Sequence, residues 1–343
     1  MNKIEFLIGD KKRFGEFIGG LSEKDKVALI SHNDLDGLAS AKVVEKVVGV
    51  DLMRFVGYPE LNEEFVNWLK KNKINKAIFT DINLTKSEIV REIEKFAEVL
   101  IIDHHPPTAD YNSNRTVFIN AQGYCAAYIC YYLFSKIQNL DGLDWLIAAA
   151  SVSDWMYEKP KQWVEDVYQK YGDKFVMIAG GPKEGKFWDI IKTVSGALIY
   201  FKEDLRKVYD NIGEKFGDLG DLKKYADEVQ KEIDESIDMF EKEKIEIKDG
   251  YFWELKSKFN IGSTVSTIVS TKYWEKIVII GGIGEKYYKI SAKRQDRKKD
   301  MAVLLKKLLE GFEDSSSGGH IPAAGGHILL KDVEEFKKRL KNM

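Results

Sequence analysis

The chain of 343 residues has little cysteine and no long apolar run. Its two thiols, Cys125 and Cys130, form neither a disulfide framework nor a zinc motif, so a reducing, cytoplasmic location is expected. No stretch approaches the roughly 20 apolar residues that a transmembrane helix needs, and the first residues lack a signal-peptide pattern. We therefore expect no contact with a membrane.

The chain also lacks a strong charge of either sign, since 53 Lys+Arg residues balance 55 Asp+Glu residues. This balance excludes a uniformly basic protein that coats nucleic acid, but it does not exclude a local basic surface. Residues 251–343 contain 18 basic and 11 acidic residues, a net charge of +7, and the remainder carries −9. The asymmetry favours cation binding in the first part and phosphate binding in the second. Ordinary variation of charge along a chain is the alternative explanation.

The first half alternates short apolar runs with amphipathic stretches, which is typical of a parallel α/β sheet. The predicted strands are residues 27–31, 77–80, 99–102 and 117–119, and the predicted helices are 38–48, 124–137 and 143–153. In such sheets the binding site lies beyond the carboxyl ends of the strands, near a topological switch point.

Residues 194–248 are charged and helical in pattern, without a strong strand candidate, and predict a helical linker. Strands are then predicted at 251–255, 276–280 and 287–292, followed by a helix at 300–310. We therefore predict a two-lobed α/β protein with a catalytic domain at 1–193, a linker at 194–248 and a smaller α/β domain at 249–343.

Five aspartates follow apolar strands or close a helix, and three of the five histidines lie beside them. A single aspartate after a strand is most often a helix N-cap. Five together argue for a shared function, because desolvating unpaired carboxylates is costly. The set consists of Asp34, Asp36, Asp81, Asp103 and Asp154, with His32, His104 and His105.

Such a set of donors is typical of a dinuclear metal site. Two divalent ions about 3.5–4 Å apart require mixed carboxylate and imidazole ligands, with one carboxylate that bridges them. Mixed ligands favour Mn²⁺, Zn²⁺ or Fe²⁺ over Mg²⁺, and the many carboxylates argue against a structural zinc site.

A second pattern lies in the basic part, where residues 317–327 read SGGHIPAAGGH. Glycines beside a histidine allow backbone N–H groups to approach a phosphate closely. Lys293 and Arg294 begin a basic run just upstream. A flexible turn and a solvated charged face are the alternatives, but together the two features favour a phosphate site.

Six ordered segments resemble known motifs. SHNDLDG, FTDIN, IIDHHPP and SVSDW are similar to motifs I to IV of the DHH phosphoesterase superfamily. SAKRQ and SGGHIPAAGG resemble the substrate-binding motifs of its DHHA1 branch. The spacing in HNDLDG resembles that of RecJ-like nucleases more than that of nanoRNases. With the high Lys and Glu content, it suggests an archaeal RecJ-like or Hef-associated type.

The resemblance implies Mn²⁺-favoured phosphodiester hydrolysis with two ions, Mg²⁺ being possible. It assigns Asp81 as the bridging ligand, His105 to the scissile phosphate, and Asp103 as the partner that orients the metal-bound imidazole. The implied metal ligands are His32, Asp34, Asp36, Asp81, His104 and Asp154. The implied substrate-binding residues are Lys293, Arg294, Gly318, Gly319, His320, Ala323, Ala324 and Gly325.

The chain departs from the family pattern at three positions. His32 occupies a position that is Asp in RecJ-like enzymes, and Ser317 replaces the first glycine of the GGGH motif. Lys293 replaces an arginine, and because lysine lacks the bidentate fork, either Lys293 or Arg294 is a candidate to hold the phosphate.

The predicted function is 3′→5′ exonuclease activity on single-stranded DNA or RNA, releasing nucleoside monophosphates by two-metal hydrolysis. A nanoRNase-like or dinucleotide phosphodiesterase is one alternative. The other is a replication or repair scaffold with a vestigial metal site. The family also includes proteins of replication and repair assemblies, so a replication or repair protein is a candidate partner. An oligomer is also compatible with the sequence.

Overall fold

The computed structural model describes residues 3–57, 60–84, 87–178 and 181–343. The chain divides into two compact units, residues 1–226 and 227–343. Within the described ranges, none of the helices is long and apolar enough to cross a membrane. The predicted domain limits at 193 and 248 differ from this division and stay predictions.

The first unit is built on a five-stranded, wholly parallel sheet in the order β2-β1-β3-β4-β5. The four predicted strands are confirmed within one residue at each end. The unpredicted strand is the edge strand β2, whose LMRFV sequence is only half-buried and so lacks a continuous apolar run. The strands are β1 (Val27–His32), β2 (Leu52–Val56), β3 (Lys76–Thr80), β4 (Glu98–Asp103) and β5 (Thr116–Asn120).

Helices cover both faces of this sheet, which explains why its inner strands are apolar on both sides. They are α1 (Lys11–Gly19), α2 (Leu35–Val47), α3 (Glu63–Lys71), α4 (Ser87–Glu94), α5 (Ala126–Phe134), α6 (Asp144–Ser153), α7 (Lys161–Lys170), α8 (Gly185–Tyr200) and α9 (Leu205–Asp210). The next helix, α10 (Leu222–Glu243), begins in the first unit and continues into the second. Alternate strand residues enter two separate cores. Leu29 and Ile78 pack with α2, α5 and α6, whereas Ile30 and Phe79 pack with α3 and α4.

The strand order places a topological switch point between β1 and β3. The chain leaves β1 for β2 on one side of the sheet and returns to β3 on the other. Side chains that follow these two strands therefore flank a natural crevice at the carboxyl edge of the sheet.

The second unit contains a six-stranded mixed sheet in the order β10-β11-β9-β8-β7-β6, in which only β7 and β8 are parallel. Together the two sheets confirm the predicted α/β class, with a parallel sheet followed by a smaller sheet domain. The strands are β6 (Ile245–Ile247), β7 (Gly250–Leu255), β8 (Ile277–Ile283), β9 (Tyr287–Lys293), β10 (Ser316–His320) and β11 (Ala323–Leu329), and the helices are α11 (Gly262–Lys272), α12 (Met301–Leu309) and α13 (Val333–Lys341).

Two elements of this region were not predicted from the sequence. Residues 194–248 are not wholly without strands, because Ile245–Ile247 forms β6 at the edge of the sheet. Residues 316–329, for which a flexible turn was the alternative interpretation, form an antiparallel hairpin. Four glycines hid its strand pattern, since glycine contributes no side chain to the alternation of buried and exposed residues.

Candidate metal centre

The loop from β1 to α2 places two aspartates at the carboxyl edge of the sheet. Asp34 is the N-cap of α2, and its Oδ1 accepts a hydrogen bond from the Gly37 amide at 2.9 Å. A Cβ at Gly37 would lie 2.2 Å from the carbonyl oxygen of His32, so only glycine fits this turn. The tight turn brings Asp36 into the first turn of α2, where it is buried.

Asp81 and Asp154 also follow the ends of elements. Asp81 comes directly after β3 in the left-handed backbone region, with φ of 60°, and its amide donates to the Ile102 carbonyl at 3.0 Å. Aspartate tolerates this conformation better than most residues, and such backbone strain is concentrated at functional sites. Asp154 is the C-cap of α6.

Four of the predicted ligands form an inner cluster around the buried ring of His104. Its Nε2 lies 3.3 Å from Asp81 Oδ1, 3.3 Å from Asp154 Oδ2 and 3.9 Å from Asp36 Oδ2. Ligand atoms of Asp36, His104 and Asp154 all lie within 4.8 Å of one another. This separation suits simultaneous ligation of one cation.

An adjoining outer cluster contains His32, Asp34 and Asp81. His32 Nδ1 lies 2.8 Å from Asp34 Oδ2 and 3.6 Å from Asp81 Oδ2. Asp81 thus presents one oxygen to each cluster, Oδ1 to His104 and Oδ2 to His32. The two clusters share a single carboxylate, which is the arrangement that a dinuclear centre requires.

Asp103 and His105 form a pair beside these clusters. His105 Nδ1 lies 2.8 Å from Asp103 Oδ1 and 4.0 Å from Asp81 Oδ1. The hydrogen bond of Asp103 is thus made to His105, and its expected role in orienting the metal-bound imidazole stays a prediction. The ring of His104 lies close to this pair, with its centroid 4.3 Å from that of His105, and ligand atoms of Asp81, Asp103, His104 and His105 all lie within 4.8 Å of one another.

Burial and mutual repulsion dominate the electrostatics of the inner cluster. Burial raises the pKa of Asp36 well above its ordinary value, and the charges of Asp81 and Asp154 raise it further. Burial also raises the pKa of Asp81 and that of Asp154. Among the described residues, no lysine or arginine forms an ion pair with these three carboxylates. A bound cation would offset the repulsion.

Neighbouring aspartates stabilise the protonated form of the two half-buried histidines. Burial lowers the pKa of His32, but the hydrogen bond to Asp34 and the contact with Asp81 outweigh it and raise the pKa to about 10. The pKa of Asp34 is lowered, because its bond to His32 outweighs its burial. Burial opposes a raised pKa at His105, but the hydrogen bond to Asp103 is stronger and raises it.

The residues present fit a pair of divalent cations. Among the described residues, Asp81 Oδ2, Asp154 Oδ2 and His104 Nδ1 are buried polar atoms without a hydrogen-bond partner. Two such carboxylate oxygens within one site indicate that a ligand completes it, since unpaired buried acceptors are costly. The mixed oxygen and nitrogen donors suit Mn²⁺ and similar transition ions, with Mg²⁺ a poorer match.

Sequence reasoning missed two supports of this centre. The first two backbone amides of α5, those of Ala126 and Ala127, donate to the two oxygens of Asp36 at 2.8 Å each. Asn120, at the end of β5, donates from Nδ2 to the His105 carbonyl at 2.9 Å. Asn120 carried the same signal as the aspartates, a polar residue directly after an apolar strand. The role of the α5 amides has no side-chain signal.

In the second unit, three neighbouring strands align the predicted phosphate residues. Lys293 on β9 is paired in register with Ala323 on β11, which is paired with His320 on β10. His320 is exposed, and Gly319 has a φ of 147°, where a Cβ would lie 2.3 Å from the Ala323 carbonyl oxygen. The remaining predicted residues, Gly318, Ala324 and Gly325, lie in the same hairpin.

The structure distinguishes the two candidate cations at the end of β9. Arg294 forms a two-point ion pair with Asp296, at 2.7 Å from Nε and 2.9 Å from Nη2. Lys293 forms no ion pair within the described part of the chain, and burial lowers its pKa. The guanidinium fork is therefore engaged inside the unit, whereas the lysine ammonium is available to a ligand.

The parallel sheet, the switch-point site and the paired clusters define an α/β protein with a candidate dinuclear metal centre. The model of the DHH family N-terminal domain matches residues 26–154, and that of the DHHA1 domain matches residues 258–343. The chain belongs to the DHH family, whose members are metal-dependent phosphoesterases and nucleases.

Comparison with solved structures supports the fold. Exonuclease RecJ bound to manganese has a TM-score of 0.71 and 16% identity, covering 99% of this chain and 94% of that chain. A pGpG-specific phosphodiesterase from Vibrio cholerae has a TM-score of 0.51 and 14% identity, covering 92% and 98%. At these identities the likeness establishes the fold alone.

A curated relative, uncharacterized protein MJ0831 of Methanocaldococcus jannaschii, is 30% identical over 84 residues. The match covers 24% of this chain and 19% of that relative, so the chain spans only a small part of its length.

Proposed function

We propose that this protein is a 3′→5′ exonuclease that hydrolyses single-stranded DNA or RNA and releases nucleoside monophosphates. The observation that carries the proposal is the sharing of Asp81 between the inner and outer clusters. The direction of cleavage rests on the resemblance to the archaeal RecJ-like type. The proposal includes a cytoplasmic protein with a replication or repair partner.

The inner and outer clusters would hold two divalent cations, with Mn²⁺ preferred over Mg²⁺. When bound, these ions supply Lewis acidity and lower the pKa of water. Asp81 holds the two clusters in fixed relation, and the α5 amides fix the orientation of the Asp36 carboxylate. Preorganised ligands reduce the cost of assembling charge at the moment of reaction.

His105 is the residue proposed to meet the scissile phosphate. Its bond to Asp103 stabilises the protonated ring, because the carboxylate faces Nδ1 at 2.8 Å. A protonated imidazole can donate a charge-assisted hydrogen bond to a phosphate oxygen. Asp103 is therefore a positioning residue rather than a second proton donor.

The second unit is proposed to bind phosphate through its hairpin. The ammonium of Lys293 and the exposed ring of His320 supply donors, and the glycines keep side chains from obstructing the approach. The net charge of +7 on residues 251–343 supports an anionic ligand.

The test is digestion of 20-nucleotide DNA and RNA strands labelled at one end or the other, with Mn²⁺, Mg²⁺ or EDTA. We expect metal-dependent shortening from the 3′ end with release of monophosphates, lost in Asp81→Asn. Shortening from the 5′ end would refute the direction. Intact strands for both wild type and variant would refute the proposal, and a lack of cleavage of two- and five-nucleotide substrates as well would favour a scaffold function.

A dinucleotide phosphodiesterase is the second candidate, and the likeness to the pGpG-specific phosphodiesterase favours it. Two-, five- and 20-nucleotide substrates separate the two functions. Cleavage confined to the shortest substrates would support this candidate, whereas progressive shortening of the 20-mer would support the exonuclease.

A further inference from the structure

Trp155 carries an exposed indole and is adjacent in the chain to the candidate metal centre. It follows the predicted ligand Asp154 in sequence, at the end of α6, and is 54% exposed. Aromatic residues at motif ends are usually part of the core, and Tyr124 fits that rule at 8% exposure. Trp155 does not.

The backbone of Trp155 adopts an energetically costly left-handed conformation. Trp155 has a φ of 60°, which is unusual for a bulky residue, and its amide donates to the Val152 carbonyl at 3.2 Å. Left-handed conformations in large residues persist where the surroundings impose them, and they are concentrated at ligand sites. Because Ala pays a similar penalty at this φ, replacing Trp155 with Ala removes the ring without relieving the strain.

Two further groups shape the surroundings of the ring. A Cβ at Gly181 would lie 2.9 Å from Cζ3 of Trp155, so the bare backbone of Gly181 packs against the six-membered edge of the indole. The ammonium of Lys183 lies 5.5 Å from the indole centroid. An exposed flat ring with a cation above it offers stacking and charge to the same ligand.

We propose that Trp155 and Lys183 form a nucleotide subsite, in which the indole stacks on a base and the lysine contacts a phosphate. The ligand class follows from the chemistry, since a flat aromatic group joined to an anion satisfies both side chains. Adjacent Cα atoms lie about 3.8 Å apart, so the backbone of Trp155 lies beside that of the predicted ligand Asp154. The inference rests on the proposed function and adds base recognition to it.

The test compares binding of a thymidylate pentamer with that of an abasic deoxyribose-phosphate pentamer, which keeps the phosphates and lacks bases. Ca²⁺ replaces Mn²⁺ to prevent cleavage. We expect Trp155→Ala to weaken thymidylate binding about tenfold and to leave abasic binding unchanged, because stacking acts on the base alone. Trp155→Phe keeps a flat ring and is expected to restore most of the affinity. Lys183→Ala is expected to weaken binding of both oligomers.

Met177→Ala is the matched control, because Met177 is an exposed apolar residue of the same unit and offers no ring. Equal weakening of both oligomers by Trp155→Ala, or unchanged binding of both, would overturn the inference. A changed oligomeric state with unchanged binding would also overturn it and would assign the indole to an interface between copies. If the wild type neither binds nor cleaves any strand, the proposed function itself fails.

Discussion

The carboxylates of the metal centre in the first unit and the paired carboxylates of the second unit have opposite electrostatic surroundings. In the metal centre, Asp36, Asp81 and Asp154 lie close together without lysine or arginine partners among the described residues, and burial raises their pKa values. In the second unit, Glu241 and Asp296 are each paired with cations, and the pKa of each carboxyl is lowered to about 2.

The difference indicates where each unit has a candidate ligand site. Carboxylates without a cationic partner in the fold require a bound cation, because nothing else offsets the free-energy cost of their desolvation. Lys293 is the converse case in the second unit, a partly buried ammonium without an ion pair in the described chain. An uncompensated cation suits an anionic ligand. Four groups of substitutions, with their controls, test this comparison in order of decreasing expected effect.

Asp81→Asn should have the largest effect, because it removes the carboxylate shared by the two clusters. We expect a loss of activity of more than about 1000-fold and loss of Mn²⁺ binding at one site or both, measured by digestion and by titration calorimetry.

Asp144→Asn is its matched control. Asp144 is a buried carboxylate of the same unit, but its oxygens bind Lys170 at 2.6 Å and Tyr171 at 2.7 Å. We expect lower thermal stability with unchanged metal stoichiometry. Loss of Mn²⁺ binding in this control would show that compensation does not distinguish ligand sites from structural ones.

His105→Ala and Asp103→Asn should follow. We expect about 100-fold loss of kcat for His105→Ala and a smaller loss for Asp103→Asn, measured with saturating Mn²⁺. The double variant should be no worse than His105→Ala, because Asp103 acts through the histidine. Additive losses would show that Asp103 has a separate role.

Lys293→Ala should raise KM for a 20-nucleotide strand about tenfold with little change in kcat, since a charged hydrogen bond to phosphate contributes about 1.5–3 kcal/mol. Arg294→Ala should instead lower the stability of the unit, because it leaves Asp296 buried without its partner. If the two effects are exchanged, the distinction between the two cations is wrong.

Glu241→Gln should have the smallest effect, and one that depends on pH. Burial opposes a low pKa at Glu241, but hydrogen bonds from Lys244, Lys272 and Tyr273 lower the pKa to about 2. Since the folded pKa is depressed, the ion pairs stabilise the protein above about pH 4.5, and this contribution is lost as pH falls toward 2. We expect the variant to be about 1 kcal/mol less stable at pH 7.

Unfolding by urea at several pH values measures this difference, provided that the protein remains folded in acid. The stabilities of wild type and variant should converge toward pH 2. A constant difference across this range would mean that the contribution of Glu241 is not its charge.

The residues of the metal centre were predictable because each follows an element that periodicity reveals. The apolar runs before Asp81 and Asp103 predict buried parallel strands, whose carboxyl ends share one edge. No sequence pattern, by contrast, shows that the side chain of Trp155 is exposed rather than part of the core.

Three features had no signal in the sequence. The hairpin of residues 316–329 lacks the alternation of side chains that predicts strands. The ion pair of Arg294 with Asp296 depends on rotamers that periodicity does not fix. The contact of Asp36 with the α5 amides is long-range and involves only backbone donors.

That last contact restricts what residue position 36 can accept. Asp36 meets two backbone donors of α5 with its two oxygens while also facing the imidazole of His104. Asparagine has only one acceptor oxygen, so its NH₂ group would face one of the two amide donors. Glutamate is longer by one methylene group, so α5 would have to move away to accommodate it. We therefore expect a library of all substitutions at this position to retain aspartate alone, under selection for folding as well as for activity.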